Sequence, residues 1–159
     1  MPNTFTQIHL QLVFAVKHRQ ALIQKSWRDR LHSYITGIVQ NHGHKMLQIN
    51  SRPDHIHILI GYRPSHPLPK LVEEIKTSSN EFINENKLSP FQFAWQIGYA
   101  VFSYSRSQVP VVATYIERQD EHHRKKSFRE EYLQMLNKAE IEFEEKYLFD
   151  CWEDVEEWE

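Results

Sequence analysis

The chain has 159 residues, single-domain length, with 40% apolar and 25% charged residues, an ordinary globular mix. No apolar run approaches the roughly 20 residues that a helix needs to span a bilayer, and the single cysteine, Cys151, rules out an internal disulfide framework and fits a reducing cytoplasm. The net charge of −2 conceals a division: residues 1–138 carry 18 Lys or Arg against 11 Asp or Glu, whereas residues 139–159 carry ten acidic residues and one Lys. A basic body of this kind attracts phosphate backbones, although a basic surface is also simply soluble.

Residues 6–16 read as a first strand, with Ile8, Leu10, Leu12 and Phe14 at period two. Ser26-Trp27-Arg28-Asp29 resembles a capping box. It opens a helix to about residue 41, in which Leu31, Tyr34, Ile35, Ile38 and Val39 keep helical spacing. Gly43 suits a left-handed cap behind it. Residues 45–50 form a second strand and residues 55–62 a third, joined as a hairpin by the turn chemistry of Arg52-Pro53-Asp54. A second helix is expected over 68–86. The aromatic stretch 91–103 reads as one or two strands broken near Gly98. Ser107 caps a third helix to about residue 123, with Pro110 in its first turn. Ser127-Phe128-Arg129-Glu130 opens a fourth helix to about residue 137.

The order β α β β α β outlines an α+β, ferredoxin-like antiparallel sheet with helices on one face and extra C-terminal helices. The reading divides the chain into a domain over 1–138 and an acidic tail over 139–159. It leaves the second face of the sheet open for a ligand.

Alternation along 55–62 sends Ile56, Ile58 and Ile60 to one face and His55 and His57 to the other. Two imidazoles at i and i+2 can converge on one divalent cation, with a third ligand supplied from elsewhere. A histidine-triad hydrolase would require a histidine at Leu59, which argues against that class. On the third helix Val109, Val112, Ala113 and Ile116 share a packing face, while Tyr115, Gln119 and His122 form a stripe a quarter turn away. On the residues alone, Tyr115 reads first as a tyrosine at the edge of the core. Lys17 and Arg19 after the first strand, Lys76 on the second helix, and Arg106, Arg124 and Lys125 around the third are candidate phosphate contacts.

Four segments in order carry a family resemblance over residues 5–137. They are Leu10-Gln11-Leu12-Val13-Phe14-Ala15-Val16-Lys17, Pro53-Asp54-His55-Ile56-His57-Ile58-Leu59, Trp95-Gln96-Ile97-Gly98-Tyr99, and Tyr115-Ile116-Glu117-Arg118-Gln119. The chain resembles the single-tyrosine transposases of the HUH superfamily, small enzymes of bacterial insertion sequences that move as single strands. The resemblance implies metal ligation by His55, His57 and Gln119, with Mg²⁺ or Mn²⁺ as the cation, and Tyr115 as nucleophile. It implies cleavage of hairpin-bearing single-stranded DNA to a 5′-phosphotyrosine and a free 3′-OH. It also implies a homodimer in which the tyrosine helix of one subunit can complete the other's site. Two other readings stand beside it: a non-catalytic nucleic-acid-binding module on the same fold, and an interaction protein whose acidic tail binds a basic partner.

Overall fold

The computed structural model describes residues 3–122, 125–152, 155 and 158. Four strands form one antiparallel sheet: β1 (His9–Ala15), β2 (Lys45–Arg52), β3 (His55–Gly61) and β4 (Ala100–Tyr104), in the order β2-β3-β1-β4. This is the ferredoxin-like arrangement expected from the element order. β1 and β3 occupy the middle, so their side chains are covered on both faces; Leu12, Phe14, Ile56, Ile58 and Ile60 are buried to 0% exposure. The register sets Val13 opposite His57 and Ala15 opposite His55, with Asn50 and Arg52 of β2 on the other side of the same two histidines. A bulge between Met46 and Gln48 shifts β2 before it reaches that pairing.

Helices α1 (Lys25–Asn41) and α2 (Leu68–Glu85) cover the isoleucine face. Two contacts fix that side. His32 of α1 lies 2.8 Å from the Ser51 hydroxyl, and Ser51 pairs with Ile56. Lys76 of α2 sits 5.4 Å from the ring centroid of Phe14, and Phe14 also pairs with Ile56. The N-terminus of α1 is not the capping box expected at Ser26: Gln24 occupies the cap position and offers no side-chain bond. Gly43 does take the left-handed conformation, φ 84°, that closes this helix.

The opposite face departs from expectation. It is not open. Helix α3 (Val109–Glu117), the short α4 (Gln119–His122) and α5 (Phe128–Lys138) lie over it, and His55 and His57 are both 0% exposed. α5 begins as predicted, with the Ser127 side chain accepting from the Glu130 backbone N–H. The third helix starts and ends differently. Ser105 and Gln108 form the capping box, around a short 3-10 turn, and α3 stops at Arg118, where φ −93° and ψ 25° leave the helical region. Asn50 of β2 donates to the carbonyls of Ile116 (2.9 Å) and Glu117 (3.2 Å), satisfying groups that this break would otherwise strand.

The aromatic stretch contributes one named strand, β4, preceded by an isolated bridge between Val16 and Trp95. The acidic C-terminal stretch packs against the domain. Phe149 is buried beside Tyr132 and Phe128, and the Gln96 side chain pairs with the backbone of Asp150 through two 2.8 Å bonds. Among the described residues no helix is long and apolar enough to cross a membrane.

Candidate active site

β3 delivers His55 and His57 to one spot beneath α3, α4 and α5, their ring centroids 5.1 Å apart. The far nitrogen of each ring is braced. His55 Nδ1 lies 2.7 Å from Asp54 Oδ1, and His57 Nδ1 lies 2.9 Å from Gln11 Nε2. Gln11 is itself held by the Tyr104 hydroxyl, which donates to its Oε1 at 2.7 Å. The Nε2 atoms consequently point toward Glu131 of α5, whose Oε1 lies 3.0 Å from His57 and 3.4 Å from His55. Phe128, one turn earlier on α5, stacks flat on the His55 ring at 3.9 Å and seals it from water.

Tyr115 and Gln119 reach the same carboxylate from either side of the α3 break. The Tyr115 hydroxyl donates to Glu131 Oε2, and Gln119 Nε2 donates to that oxygen at 3.1 Å. Gln119 turns its own Oε1 to within 3.4 Å of His55 Nε2. Tyr115 lies edge-on to the His57 ring, 6.3 Å between centroids.

The electrostatics follow from this packing. Burial works against charge on His55, but Asp54 and Glu131 outweigh it and raise its pKa to about 9. Tyr115 moves the other way relative to reactivity. Burial first, then the adjacent Glu131 carboxylate, push its pKa well above the ordinary phenol value. The phenol therefore keeps its proton at neutral pH unless a neighbour takes it.

The donor set suits a divalent cation. His55, His57 and Glu131 each offer a ligand atom within 4.8 Å of the others, all buried. Braced imidazoles facing a carboxylate are what a transition-metal site requires of its surroundings. Glu131 escaped the sequence reading because it looks like an ordinary first-turn acid of a capped helix. Asp54, in the turn before β3, and Gln11, on β1, are further residues of the site that the sequence gives no role. A polar residue at a phase that the sheet buries was the available signal for Gln11.

A family model described as "Transposase IS200 like" matches residues 4–119, most of the chain. The chain belongs to the IS200-like transposase family. Among curated relatives, the ISDra2 transposase TnpA of Deinococcus radiodurans is 24% identical over 118 residues, covering 71% of this chain and 84% of that protein. Two solved structures share the fold. One, from Deinococcus radiodurans R1 and assigned as a transposase, superposes with a TM-score of 0.59 at 23% identity, covering 74% of this chain and 94% of the other. The second is a REP-associated tyrosine transposase bound to a REP hairpin, with a TM-score of 0.57 at 11% identity, covering 76% and 72%.

On this transposase the candidate phosphate contacts are scattered. Lys17, Arg19, Arg106 and Lys125 are exposed. Arg106 borders a groove that also presents Lys45 and Arg63. Lys76 is committed elsewhere: its amine donates to the carbonyls of Gln96 (2.8 Å) and Gly98, and partial burial lowers its pKa to about 8. Arg124 and the His122 side chain lie outside the described residues.

Proposed function

We propose that this transposase cuts and rejoins single-stranded DNA at hairpin-bearing element ends through a covalent 5′-phosphotyrosine on Tyr115. His55, His57 and Glu131 would hold a divalent cation, with the Gln119 amide oxygen beside them. One observation carries the reading: Tyr115, Gln119 and both imidazoles converge on a single buried carboxylate from separate stretches of chain. Two imidazoles favour Mn²⁺ over Mg²⁺ in such a set. When bound, the cation would supply Lewis-acid stabilisation of charge developing on a phosphate oxygen.

The chain's own residues do the rest. Glu131 Oε2, already the acceptor of the Tyr115 hydroxyl, takes the phenol proton, and its own neutralisation removes the carboxylate charge that, together with burial, keeps the phenol protonated. The phenol oxygen bonds to phosphorus, and the bond from phosphorus to the 3′-oxygen breaks. That oxygen leaves and is protonated to a 3′-OH, while the 5′ end stays on the enzyme. Because the ester's energy is kept in the phosphotyrosine, attack by a 3′-OH restores the strand without a nucleotide. Asp54 and Gln11 hold the imidazoles in place throughout. Hairpin recognition is supported by the structural relative whose DNA ligand is a REP hairpin.

The test is incubation with single-stranded hairpin DNA and Mn²⁺, followed by a denaturing gel. A protein–DNA adduct should form and should vanish in Tyr115→Phe. An adduct that persists in that variant would overturn the nucleophile assignment. Tight hairpin binding with no adduct even in the wild type would favour the non-catalytic binding module.

A further inference from the structure

The sheet face that holds His55 and His57 continues past them. Two residues per step along β3, the same side shows Leu59 and then Gly61. The register places His9 of β1 and Lys45 of β2 on either side of Gly61, so these three floor the far end of that face. The floor belongs to a groove that also takes in Arg63 after β3, Phe5 before β1 and Arg106 ahead of α3. Glycine gives the groove its depth. A Cβ at Gly61 would stand 3.4 Å from the Cβ of Lys45, so any larger residue would raise a side chain into the opening.

The lining is cationic. Lys45, Arg63 and Arg106 are all exposed, and among the described residues that line the groove none is Asp or Glu. Arg63 is held in place. Its backbone N–H donates to His44 Nδ1 at 2.9 Å, and its Nε–H donates to the Gly43 carbonyl at 3.0 Å. His44 is in turn buried against Tyr62, ring on ring at 5.0 Å and 9°, and the Tyr62 hydroxyl donates to the His66 carbonyl. A guanidinium anchored by its Nε still has both terminal amino groups with which to meet a phosphate. Phe5 adds a second kind of contact: it is 92% exposed, a bare ring beside three cations. Cations that track phosphates beside an aromatic ring that takes a base are what holds single-stranded nucleic acid without regard to sequence.

The groove is close to the reactive centre. Gly61 lies four residues from His57 along β3, about 13 Å at a strand's rise of about 3.3 Å per residue. Val109, which also lines the groove, lies six residues from Tyr115 on α3, about 9 Å at about 1.5 Å per residue. Stacked nucleotides spaced about 3.4 Å apart cover such a distance in roughly three or four.

We propose that this groove binds single-stranded DNA in continuation of the strand held at Tyr115, a role that rests on reading the Tyr115 centre as a nuclease of single-stranded DNA. Lys45, Arg63 and Arg106 take the phosphates, and the Phe5 ring stacks on one base. Phosphate contacts position a strand and carry no sequence information, so the groove supplies grip and direction, and reading of the hairpin falls to other surfaces. A duplex suits it less, because paired bases stack on one another and offer Phe5 no face.

The test uses full-length protein in metal-free buffer, titrated into a fluorescein-labelled oligo(dT) of about 16 nucleotides. Anisotropy is read at salt from about 50 to 200 mM. Lys45→Gln combined with Arg106→Gln should lower affinity roughly tenfold at low salt. It should also make log K fall less steeply with log salt, by about 0.7 for each lost phosphate contact. Phe5→Ala should lower affinity about fivefold or more with the salt slope unchanged. These side chains are exposed, so the circular dichroism spectrum should not change. Gly61→Leu keeps every cation and the Phe5 ring, and should weaken binding by filling the floor. A blunt duplex of the same length should compete at least about tenfold less well than oligo(dT). Absence of oligo(dT) binding by the wild type, unchanged affinity in either the Lys45→Gln/Arg106→Gln or the Phe5→Ala variant, or equal competition by the duplex would overturn the proposal. So would a loss of self-association on sedimentation in place of a loss of DNA binding, since the groove would then serve a second copy of this chain. The readout needs neither metal nor cleavage. An adduct that persists in Tyr115→Phe therefore sinks the nucleophile and leaves the groove, whereas normal adducts with unaltered oligo(dT) binding in the groove variants sink the groove alone.

Discussion

Gln11 governs which nitrogen of His57 carries a proton. A cation on His57 Nε2 requires a proton on Nδ1, and Gln11 must then accept it through its amide oxygen while Tyr104 turns to accept from the amide nitrogen. A side chain of similar size that cannot accept breaks this relay. Gln11→Leu should lower Mn²⁺ affinity about ten- to a hundred-fold without unfolding the sheet, measured by titration calorimetry beside circular dichroism. Unchanged affinity would remove Gln11 from the centre. At this scale the sequence was partly legible. The phase of His55-Ile56-His57 put both rings on one face, as found. Tyr115 and Gln119 stand four residues apart in the sequence, at helical spacing, and both lie against the histidines. Glu131 had a local signal, since it stands at i+3 from Phe128 on the stripe that holds Tyr132 and Leu136, whereas Glu130 is exposed on the same turn. What the docking of α5 adds is that this face meets the two histidines.

Elements carry the features that local propensity does not contain. α3 has no Gly or Pro at its break. It ends because Asn50, more than sixty residues earlier, supplies partners for its last carbonyls. The covered histidine face has the same kind of origin. Phe128 and Tyr132 of α5 are anchored by Phe149, a long way along the chain. Phe149→Ala should cost about 3 kcal/mol, read as a lower urea midpoint, and should expose Phe128 and loosen the cover on His55. A cost near zero would mean that α5 holds its place without the C-terminal stretch. The α1–β2 interface makes a pH prediction. His32 is pushed down to about 4, by burial first and then by Arg28, with Asp29 opposing, and its ring meets the Ser51 hydroxyl of β2. The fold therefore holds His32 neutral, while the unfolded chain takes up a proton below its ordinary value. Stability present above pH ~6.5 is lost as pH falls toward 4, by up to about 3 kcal/mol at 1.36 kcal/mol per pH unit. His32→Gln should flatten that part of the acid limb in urea titrations at pH 7 and pH 4.5. Equal acid losses in both proteins would contradict it.

At the scale of the whole molecule, the question is whether one chain holds a complete centre. Tyr115 lies over the His57 of its own chain and shares Glu131 with it, which supports a site assembled within one subunit. The family resemblance allows a homodimer that exchanges tyrosine helices. Mixing Tyr115→Phe with His57→Ala distinguishes them: no recovered cleavage is expected from self-contained subunits, and recovered cleavage would establish sharing. The element order was legible in the sequence, because turn chemistry and alternation are local; the strand order β2-β3-β1-β4 comes from the long-range pairing of β1 with β3 and β4. The double layer of cover was not, because it depends on long-range aromatic contacts.

The position of Glu131 has a consequence in time. Synthesis proceeds from the N-terminus, so His55, His57, Tyr115 and Gln119 all emerge before the carboxylate on which they converge. At about 5–20 residues per second, roughly 4–15 s separate His57 from Glu131, and Phe149 follows later still. A nascent or prematurely terminated chain thus holds Tyr115 and both imidazoles but neither the Glu131 carboxylate nor the Phe128 ring that covers His55. On the proposed mechanism, competence to cut DNA arrives only once Glu131 and Phe149 have been made, well after the residues that converge on them.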